Sequence, residues 1–491
     1  MCVTSPWLPV TVALRALAPR ERIAAIADPG SVQPVDASFD APRPSPHLAR
    51  WGIAAQDDDG VVIARAAIGG AAVLVAAQDE RFLRGSAGAN HGDALRRLFV
   101  RGRAERPAAV IILAASAGVR LHEANPAELA LARALTALLD LRAAGVPVLV
   151  LSVADTFGGA SVLACAGERT ALLPGVRLGL SGPAVIETTR GPGELDAGDA
   201  DAVTALFGAE ARAAAGHVEL VAADAEAVRA WIARCVRESK PFATWVRTRQ
   251  EELAARLALT QSPGVRAAGE RAAVELATTP ALPLPRKLAS LYADAEPVDR
   301  VCWLWRMRDR RVWLSRPFGL GTFGPREAHG LDAALLVHLA GGAAADGRTV
   351  FLVGDSYGHE VSRNAEALCV SQYLAQHSAV VALLRAQDVR VCGLLTGVGH
   401  SGAFFANALQ AREVYALADA RVIAMEPAAI ARVIRLPERE IAALIENDPL
   451  LGHPVRHFAG WGGIAEILPD ADRDRLLALV ERGVSPRPTS R

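Results

Sequence analysis

The sequence predicts an α/β protein built from two similar halves, and three observations support this. Short apolar, β-branched segments alternate with longer helical segments along the chain. In each half, a glycine turn follows a buried apolar segment and precedes a helix of small residues. The sequences around these turns repeat at a nearly constant distance. Such a repeat indicates one duplicated domain rather than a chance similarity.

The repeat is visible position by position. Three sets of residues coincide, with shifts of 240, 243 and 244 residues: Gly118 with Gly358; Gly158-Gly159-Ala160 with Ser401-Gly402-Ala403; and Arg177, Pro183 and Ile186 with Arg421, Pro427 and Ile430. The shift between matched residues changes little along the chain, so we expect the two halves to share one topology.

Each half is expected to contain a strand, a helix and a second strand. These elements are residues 110–113, 126–144 and 148–153 in the first half, and 350–353, 364–386 and 389–395 in the second. The first helix ends before Gly145 and Pro147, as helices commonly do. Units of this length favour parallel pairing of their strands.

We expect two domains, at 1–257 and 295–480, with an extended arm over about residues 1–50. The linker at 258–294 is rich in proline, alanine and threonine and lacks apolar periodicity. The tail at 481–491 is expected to be disordered.

Composition limits the classes of function. The chain has 53 basic and 53 acidic residues, so its charge favours neither nucleic acid nor a membrane surface. Its six cysteines are scattered without a Cys-x-x-Cys pair, which argues against a zinc site or a disulfide framework. The N-terminus lacks a signal pattern, and no apolar run reaches the ~18–20 residues of a membrane span. We therefore expect a cytoplasmic protein.

The glycine turns are candidate anion sites. A turn of this kind permits positive φ, and the first N–H groups of the helix that follows have no intrahelical acceptor. It can form an oxyanion hole for a thioester oxygen, although glycines also serve tight strand–helix packing. Four turns in repeated positions favour the hole. Ser401 lies in a near match to the Gly-x-Ser-x-Gly elbow, but the last glycine is one position early, so a helix-capping role is expected.

Longer motifs extend these observations to a family. The first half contains "SPHLARWGI", "GVRLHEAN", "TFGGAS" and "RLGLSGPAVIE", and the second contains "YGHEVSRNAEAL", "GHSGAFFANALQA" and "ARVIAMEPAAIARVIRLPERE". On these motifs the chain resembles biotin-independent malonate decarboxylase. The β subunit corresponds to about residues 5–257 and the γ subunit to about 295–480, joined in one polypeptide.

The resemblance implies a carboxyltransferase-like fold of two crotonase-like ββα spiral domains in tandem. It implies decarboxylation of a malonyl thioester, held on an acyl carrier protein subunit, to the acetyl thioester and CO2. No covalently bound cofactor and no metal is implied, because a phosphoribosyl-dephospho-CoA arm arrives on the carrier. The implied partners are that carrier and an acetyl-S-ACP:malonate transferase (alpha) subunit. The resemblance leaves open whether the chain forms homo-oligomers.

The resemblance also implies where the site lies. In this hypothesis backbone amides stabilise the enolate, His400 protonates it or holds a water that does, and a second group of residues binds substrate. The hole residues are Gly118, Gly158, Gly159, Gly358, Ser401, Gly402 and Ala403, and the substrate-binding residues are Gly88, His91, Ala117 and Arg120. For His400, a structural role is the more common alternative for a lone histidine. For His91, a hydrogen bond that stabilises its turn is an equal alternative.

The sequence departs from the family pattern at four positions. Where the family has TGGVRLQEAN, this chain has Ala117 in place of the first glycine and His122 in place of glutamine. Ala89 replaces the acidic residue of the family's Glu-Val-His-Gly, and Ala403 replaces a second glycine after Ser-Gly. These departures leave open a different acyl group or a reduced activity.

Three alternatives remain. A biotin-dependent carboxyltransferase or decarboxylase component needs a carrier lysine between two methionines, which neither Lys240 nor Lys287 provides, although the carrier could be another chain. A non-catalytic scaffold of the malonate decarboxylase complex would have lost its chemistry. An acyl-CoA hydratase or isomerase would need a carboxylate base, for which Asp155 is the candidate and a turn cap is its equal alternative.

Overall fold

The computed structural model describes residues 14–35, 43–259, 286–308, 311–319, 321–340 and 348–482. Of the predicted linker at 258–294, residues 260–285 lie outside the described residues, whereas 258–259 end a helix and Ala289–Ala293 form another. Of the predicted tail at 481–491, residues 483–491 lie outside the described residues. The described part of the predicted arm is not extended throughout. Its helix α1 (Pro19–Ile26) buries Ile23 and Ile26 in the core shared with the first sheet.

The first half contains a seven-stranded sheet in the order β1-β2-β3-β4-β5-β7, with β6 paired to β4. The strands are β1 (Val61–Ile68), β2 (Ala71–Gln78), β3 (Ala109–Ser116), β4 (Val148–Phe157), β5 (Arg169–Leu172), β6 (Leu178–Gly179) and β7 (Glu219–Leu220). The helices after α1 are α2 (Ala89–Glu105), α3 (Ala124–Ala143), α4 (Gly159–Cys165), α5 (Pro183–Arg190), α6 (Ala200–Phe207), α7 (Ala209–Ala214), α8 (Ala225–Arg237) and α9 (Phe242–Leu259).

The second half contains a seven-stranded sheet in the order β16-β14-β12-β11-β10-β9-β8 and a two-stranded sheet of β13 and β15. Its strands are β8 (Ala295–Pro297), β9 (Leu304–Met307), β10 (Val312–Ser315), β11 (Thr349–Gly354), β12 (Arg390–Leu395), β13 (Val398–His400), β14 (Glu413–Leu417), β15 (Arg421–Ile423) and β16 (Glu466–Leu468). Its helices are α10 (Ala289–Ala293), α11 (Pro325–His338), α12 (Arg363–Ala367), α13 (Val370–Ala386), α14 (Ser401–Ala406), α15 (Pro427–Ile434), α16 (Glu438–Asn447), α17 (Val455–Gly460) and α18 (Arg473–Glu481).

The two large sheets share one topology. In each, an antiparallel pair (β1-β2 or β9-β10) leads into parallel strands (β2-β3-β4-β5 or β10-β11-β12-β14). All residues of β3 and β11 are buried, as expected for central parallel strands that are covered on both faces. The predicted duplicated α/β fold is therefore confirmed.

The predicted helix at 364–386 is two helices, α12 and α13, because the chain turns between them. Cys369 has φ +58°, and its N–H donates to the carbonyl of Glu366 (2.8 Å), which closes a four-residue turn. Arg212 of the first half donates to the same carbonyl. A residue of the other half therefore fixes the break, which no local sequence signal indicated.

The two halves share one hydrophobic core, and polar contacts cross it. Helix α13 packs against α3, α4 and α9 of the first half. Thr136 donates to the side-chain oxygen of Gln410 (3.0 Å), and the hydroxyls of Ser161 and Ser371 are 2.7 Å apart. The relative position of the halves is therefore fixed by buried, directional contacts.

Glu366 of the second half is the most connected of these groups. Its Oε1 accepts hydrogen bonds from the backbone amides of Leu180 (3.0 Å) and Ser181 (2.7 Å), and its Oε2 accepts one from Arg212 (3.2 Å). Burial raises the pKa of Glu366 to about 7, although Arg212 opposes this effect. Three groups of the first half thus converge on one buried carboxyl of the second.

Glu128 of α3 is buried without a comparable partner. Its Oε2 has no hydrogen-bond partner among the described residues, and burial raises the pKa of its carboxyl to about 8. It lies on α3 between Asn125 and Thr136, which both donate to the second half. An unpaired carboxyl in this position is more stable protonated than charged.

We predict that Glu128 makes the protein less stable as the pH rises. Because its pKa is higher in the folded chain than in the unfolded chain, this group favours folding most at low pH. The free energy of unfolding should fall by about 3 kcal/mol from about pH 5 to pH 8 through this group. Glu128→Gln should remove that dependence, so that the variant is the more stable protein at pH 8 and nearly equal at pH 5.

The measurement is urea unfolding followed by circular dichroism at both pH values. Exposed Glu251 provides the matched control, and Glu251→Gln should follow the wild type. Parallel pH profiles for wild type and Glu128→Gln would contradict the prediction.

Candidate active site

In the first half, the turn after β3 packs against the turn after β4. Gly118 has φ +94° and Gly158 has φ +62°, a region that favours glycine. A side chain at Gly118 would meet the Gly158 Cα at 3.2 Å and the Phe157 carbonyl oxygen at 3.1 Å. The close approach of these two turns therefore explains the glycine at position 118.

The second half repeats this arrangement with different side chains. Gly358 has φ +97°, and Ser401 takes the place of Gly158 with φ +42°. A side chain at Gly358 would lie 3.0 Å from Nδ1 of His400 and 3.5 Å from Oγ of Ser401. The structure thus brings the predicted residues together in two pairs of turns, one in each half.

The backbone amides of the turns differ in their availability. Those of Gly118 and Gly358 donate to the hydroxyls of Ser116 (3.2 Å) and Ser356 (3.4 Å), and that of Gly158 donates to the Leu180 carbonyl (3.1 Å). Four other amides donate to no acceptor within the described part of the chain. They form two equivalent pairs: Gly159 with Gly402, and Ala160 with Ala403. Of the predicted hole residues, Gly159, Gly402 and Ala403 therefore have free donors.

Each helix that follows a turn is also in contact with the other half. A side chain at Gly159 would lie 3.4 Å from the Phe405 ring, and one at Gly402 would lie 3.3 Å from Cδ2 of Leu180. Phe405 belongs to the second half and Leu180 to the first. An apolar side chain of the other half therefore packs beside each turn.

His359 is a site residue that the sequence analysis missed. Its Nδ1 lies 2.9 Å from Oγ of Ser401, and its Nε2 lies 2.9 Å from Oγ of Ser181 in the first half. Burial, together with the nearby His400, lowers the pKa of His359 to about 3, so its ring is neutral at pH 7. Its position directly after Gly358 was the available signal, but the partners are 42 and 178 residues away.

His400, the predicted proton donor, lies beside the same turn. Its Nε2 is 3.8 Å from Oε1 of Glu426, and its side chain is 13% exposed. Burial lowers the pKa of His400, although Glu426 and a hydrogen bond to the Tyr357 backbone oppose the shift. The imidazole therefore faces the turn without a tight ionic partner.

The predicted substrate-binding residues of the first half form a buried network. Nε2 of His91 lies 2.9 Å from Nε2 of Gln78, and its backbone amide donates to Asp59 (3.0 Å). Arg120 pairs with the carboxylates of Asp59 (2.5 Å) and Glu123 (3.1 Å). Burial lowers the pKa of His91 to about 3. These contacts favour the turn-stabilising role of His91, since its side chain is fully buried.

The remaining residues of this group lie at the edge of the network. A side chain at Gly88 would lie 2.3 Å from Nη1 of Arg120, so this glycine makes room for the guanidinium. Ala117 is exposed beside Gly118. Asp155, the base required by the hydratase hypothesis, is held by Arg177, whose amide (3.0 Å) and side chain (2.5 Å) both donate to it. Both contacts come from a residue 22 positions away rather than from the backbone of the Gly158 turn.

Metal-site geometry and membrane-spanning helices are both absent from the described residues. They contain no group of three or more histidine, cysteine or acidic side chains with the geometry of a metal site. None of the described helices combines the length and the apolar character that crossing a membrane requires.

We predict that His91 supports the fold rather than the substrate. His91→Gln keeps a polar side chain toward Gln78, but loses part of the packing, so the melting temperature should fall by several degrees. Because the side chain is buried away from the turns, KM for a malonyl thioester should stay within about twofold. Steady-state kinetics and a thermal melt test this. A tenfold rise in KM at an unchanged melting temperature would contradict it.

Comparison with known proteins identifies two family regions. Residues 321–486 match the family model of the malonate decarboxylase gamma subunit, and residues 16–242 match that of the carboxyl transferase domain. Malonyl-S-ACP:biotin-protein carboxyltransferase of Malonomonas rubra is 34% identical over 221 residues, which are 42% of this chain and 69% of that protein. The beta subunit of the acetyl-coenzyme A carboxylase carboxyl transferase of a Synechococcus species is 32% identical over 188 residues, 36% of this chain and 60% of that protein.

Among solved structures, a Pseudomonas malonate decarboxylase hetero-tetramer in complex with malonate is 30% identical, with a TM-score of 0.43. That match covers 47% of this chain and 86% of the Pseudomonas chain. The duplicated sheets and the two family regions agree with the expected carboxyltransferase fold of two crotonase-like halves. The chain belongs to the carboxyltransferase family of malonate decarboxylase, and it joins a beta-type carboxyltransferase half and a gamma-type half in one polypeptide.

Proposed function

We propose that the chain decarboxylates a malonyl thioester to the acetyl thioester and CO2. The observation that carries the proposal is the pair of equivalent strand–helix turns with free amides, at Gly159-Ala160 and at Gly402-Ala403. Loss of CO2 from a malonyl thioester leaves an enolate whose charge lies largely on the thioester oxygen. Fixed N–H donors at that oxygen stabilise the transition state more than the neutral ground state.

In the proposed mechanism the two amide pairs have different tasks. One pair holds the thioester oxygen, and the other orients the carboxylate that leaves. The apolar side chains of Phe405 and Leu180, which pack beside the turns, disfavour the charged carboxylate relative to neutral CO2. His400, or a water that it holds, then protonates the enolate carbon. Every step of this scheme uses backbone amides and side chains of the chain itself.

The substrate in this proposal arrives on another subunit. The match to a malonate decarboxylase gamma subunit supports an acyl carrier protein with a phosphoribosyl-dephospho-CoA arm as the donor of the malonyl group. The same match supports an acetyl-S-ACP:malonate transferase as the second partner, in a hetero-oligomeric complex. The arm and its malonyl group together are the substrate, because the carrier subunit brings both of them to the turns.

A second candidate is transfer of the carboxyl group to biotin. The Malonomonas rubra relative, named a malonyl-S-ACP:biotin-protein carboxyltransferase, favours it. Both reactions pass through the same enolate and differ in the fate of CO2. The biotin would have to be on a separate carrier, since Lys240 and Lys287 of this chain do not lie in a biotinylation motif.

The test is release of labelled CO2 from malonyl-CoA, and from a malonyl-loaded carrier subunit, by the purified chain without ATP. Ala403→Pro removes one free N–H within the first turn of α14. No hydrogen bond of the helix is broken, because this N–H has no intrahelical acceptor. Ala403 already carries a Cβ, so little new volume is added there. Loss of one oxyanion donor should lower kcat by about 10²-fold.

Ala200→Pro is the matched control, because it lies in the first turn of α6 on an exposed surface. Thermal melting shows whether either proline unfolds the protein. Unchanged CO2 release by a folded Ala403→Pro variant would contradict the proposed hole. Label recovered as the acid-labile carbamate of added biotin, instead of as free CO2, would favour carboxyl transfer over decarboxylation.

A further inference from the structure

We propose that Ser401 is the nucleophile of a second activity, a slow hydrolysis of acyl esters and thioesters, with His359 as its general base. This activity goes beyond decarboxylation, in which no covalent bond forms between substrate and protein. Ser181 of the first half is the positioning residue that holds His359. The local sequence around Ser401 does not indicate an acyl-accepting serine, because the base is remote along the chain.

The contacts have the order that an activated serine requires. The hydroxyl of Ser401 is within 2.9 Å of Nδ1 of His359, and Nε2 of the same ring is within 2.9 Å of the Ser181 hydroxyl. When Nε2–H donates to Ser181, Nδ1 is left as an acceptor for the Ser401 proton. Nucleophile, base and a third group that orients the base are therefore connected in one line.

The backbone at Ser401 supports the same role. Ser401 lies between β13 and α14 with φ +42°, a conformation that L-residues seldom adopt and that commonly marks functional positions. The amide of Gly402, the residue directly after the serine, has no acceptor among the described residues. In serine hydrolases with a strand–serine–helix turn, the corresponding amide stabilises the tetrahedral oxyanion. Ser401 and His359 are both partly exposed, so a substrate can reach them.

The first half shows that the fold does not require this pair. The positions equivalent to Ser401 and His359, at shifts of 243 and 240 residues, are Gly158 and Val119. The turn of the first half occupies the same place in its sheet as the turn of the second half. It has neither a hydroxyl nor an imidazole at these two positions. The Ser401–His359 pair is therefore a chemical feature of the second half, added to a turn that forms without it.

The protonation state of His359 permits the step and limits its rate. Its pKa is lowered to about 3, so the neutral ring that can accept a proton predominates at pH 7. A ring with so low a pKa is a weak base, and general-base catalysis is most efficient when the pKa lies near the working pH. We therefore expect slow turnover compared with dedicated esterases.

The reaction leaves Ser401 and His359 in the protonation states in which they began. Oγ of Ser401 forms a bond to the acyl carbon as its proton moves to Nδ1 of His359. The bond from the acyl carbon to the leaving oxygen or sulfur then breaks, and that atom takes the proton from Nδ1. Water attacks the acyl-serine, giving one proton to His359 as it does so. Ser401 regains that proton when the carboxylic acid leaves.

The test is covalent labelling with a fluorophosphonate probe, located by peptide mass spectrometry on the full chain. Ser401 should be labelled in the wild type, and Ser401→Ala should remove the label. His359→Gln should lower the labelling rate at least tenfold. His329→Gln is the matched control, because His329 contacts Gln250 rather than a serine and should leave the rate unchanged. Equal labelling of wild type and a folded His359→Gln variant would overturn the inference.

A second variant keeps the test informative if His359→Gln unfolds. Ser181→Ala removes the hydroxyl that holds Nε2 of His359, and it should lower the rate of fluorophosphonate labelling of Ser401 at least threefold. Equal rates would overturn the inference. The result of the labelling experiment is independent of the result of the CO2-release experiment. Labelling of Ser401 without CO2 release would contradict the proposed function alone, and CO2 release without labelling would contradict the nucleophile alone.

Discussion

One buried carboxyl, that of Glu366, determines how the two halves meet. It binds the amides of Leu180 and Ser181 and the guanidinium of Arg212, all from the first half. Ser181 in turn reaches His359, and through it Ser401. Removal of one partner of a buried ion pair commonly costs about 3–5 kcal/mol. The geometry of the second-half turn therefore depends on a contact that exists only when both halves are folded together.

The exchange of side chains across the interface explains why a single chain suits this fold. Phe405 packs beside Gly159 and Leu180 packs beside Gly402, so each turn is lined in part by the other half. Buried polar contacts such as Thr136 with Gln410 fix the halves more specifically than apolar packing alone would. Joining the halves also keeps their local concentration high. Neither turn is a complete site in isolation.

The sequence predicted what depends on local patterns. Apolar, β-branched segments identified β3, β4, β11 and β12 to within a few residues, and the repeated glycines located both turns. Two features could not be predicted because they depend on distant residues. Arg212 fixes the break before α13, and His359 meets Ser401 only through the fold. The bond from the Gly118 amide to the Ser116 hydroxyl is local, and Ser356 precedes Gly358 in the same way, so the repeat itself contained that signal.

The substitution of Gly158 in one half by Ser401 in the other has a consequence for substrate orientation. Two identical turns, one in each half, would present the same groups to either end of a bound ligand. A hydroxyl and an imidazole on one side only remove that equivalence. The protein thereby acquires a polarity that its duplicated scaffold alone would lack.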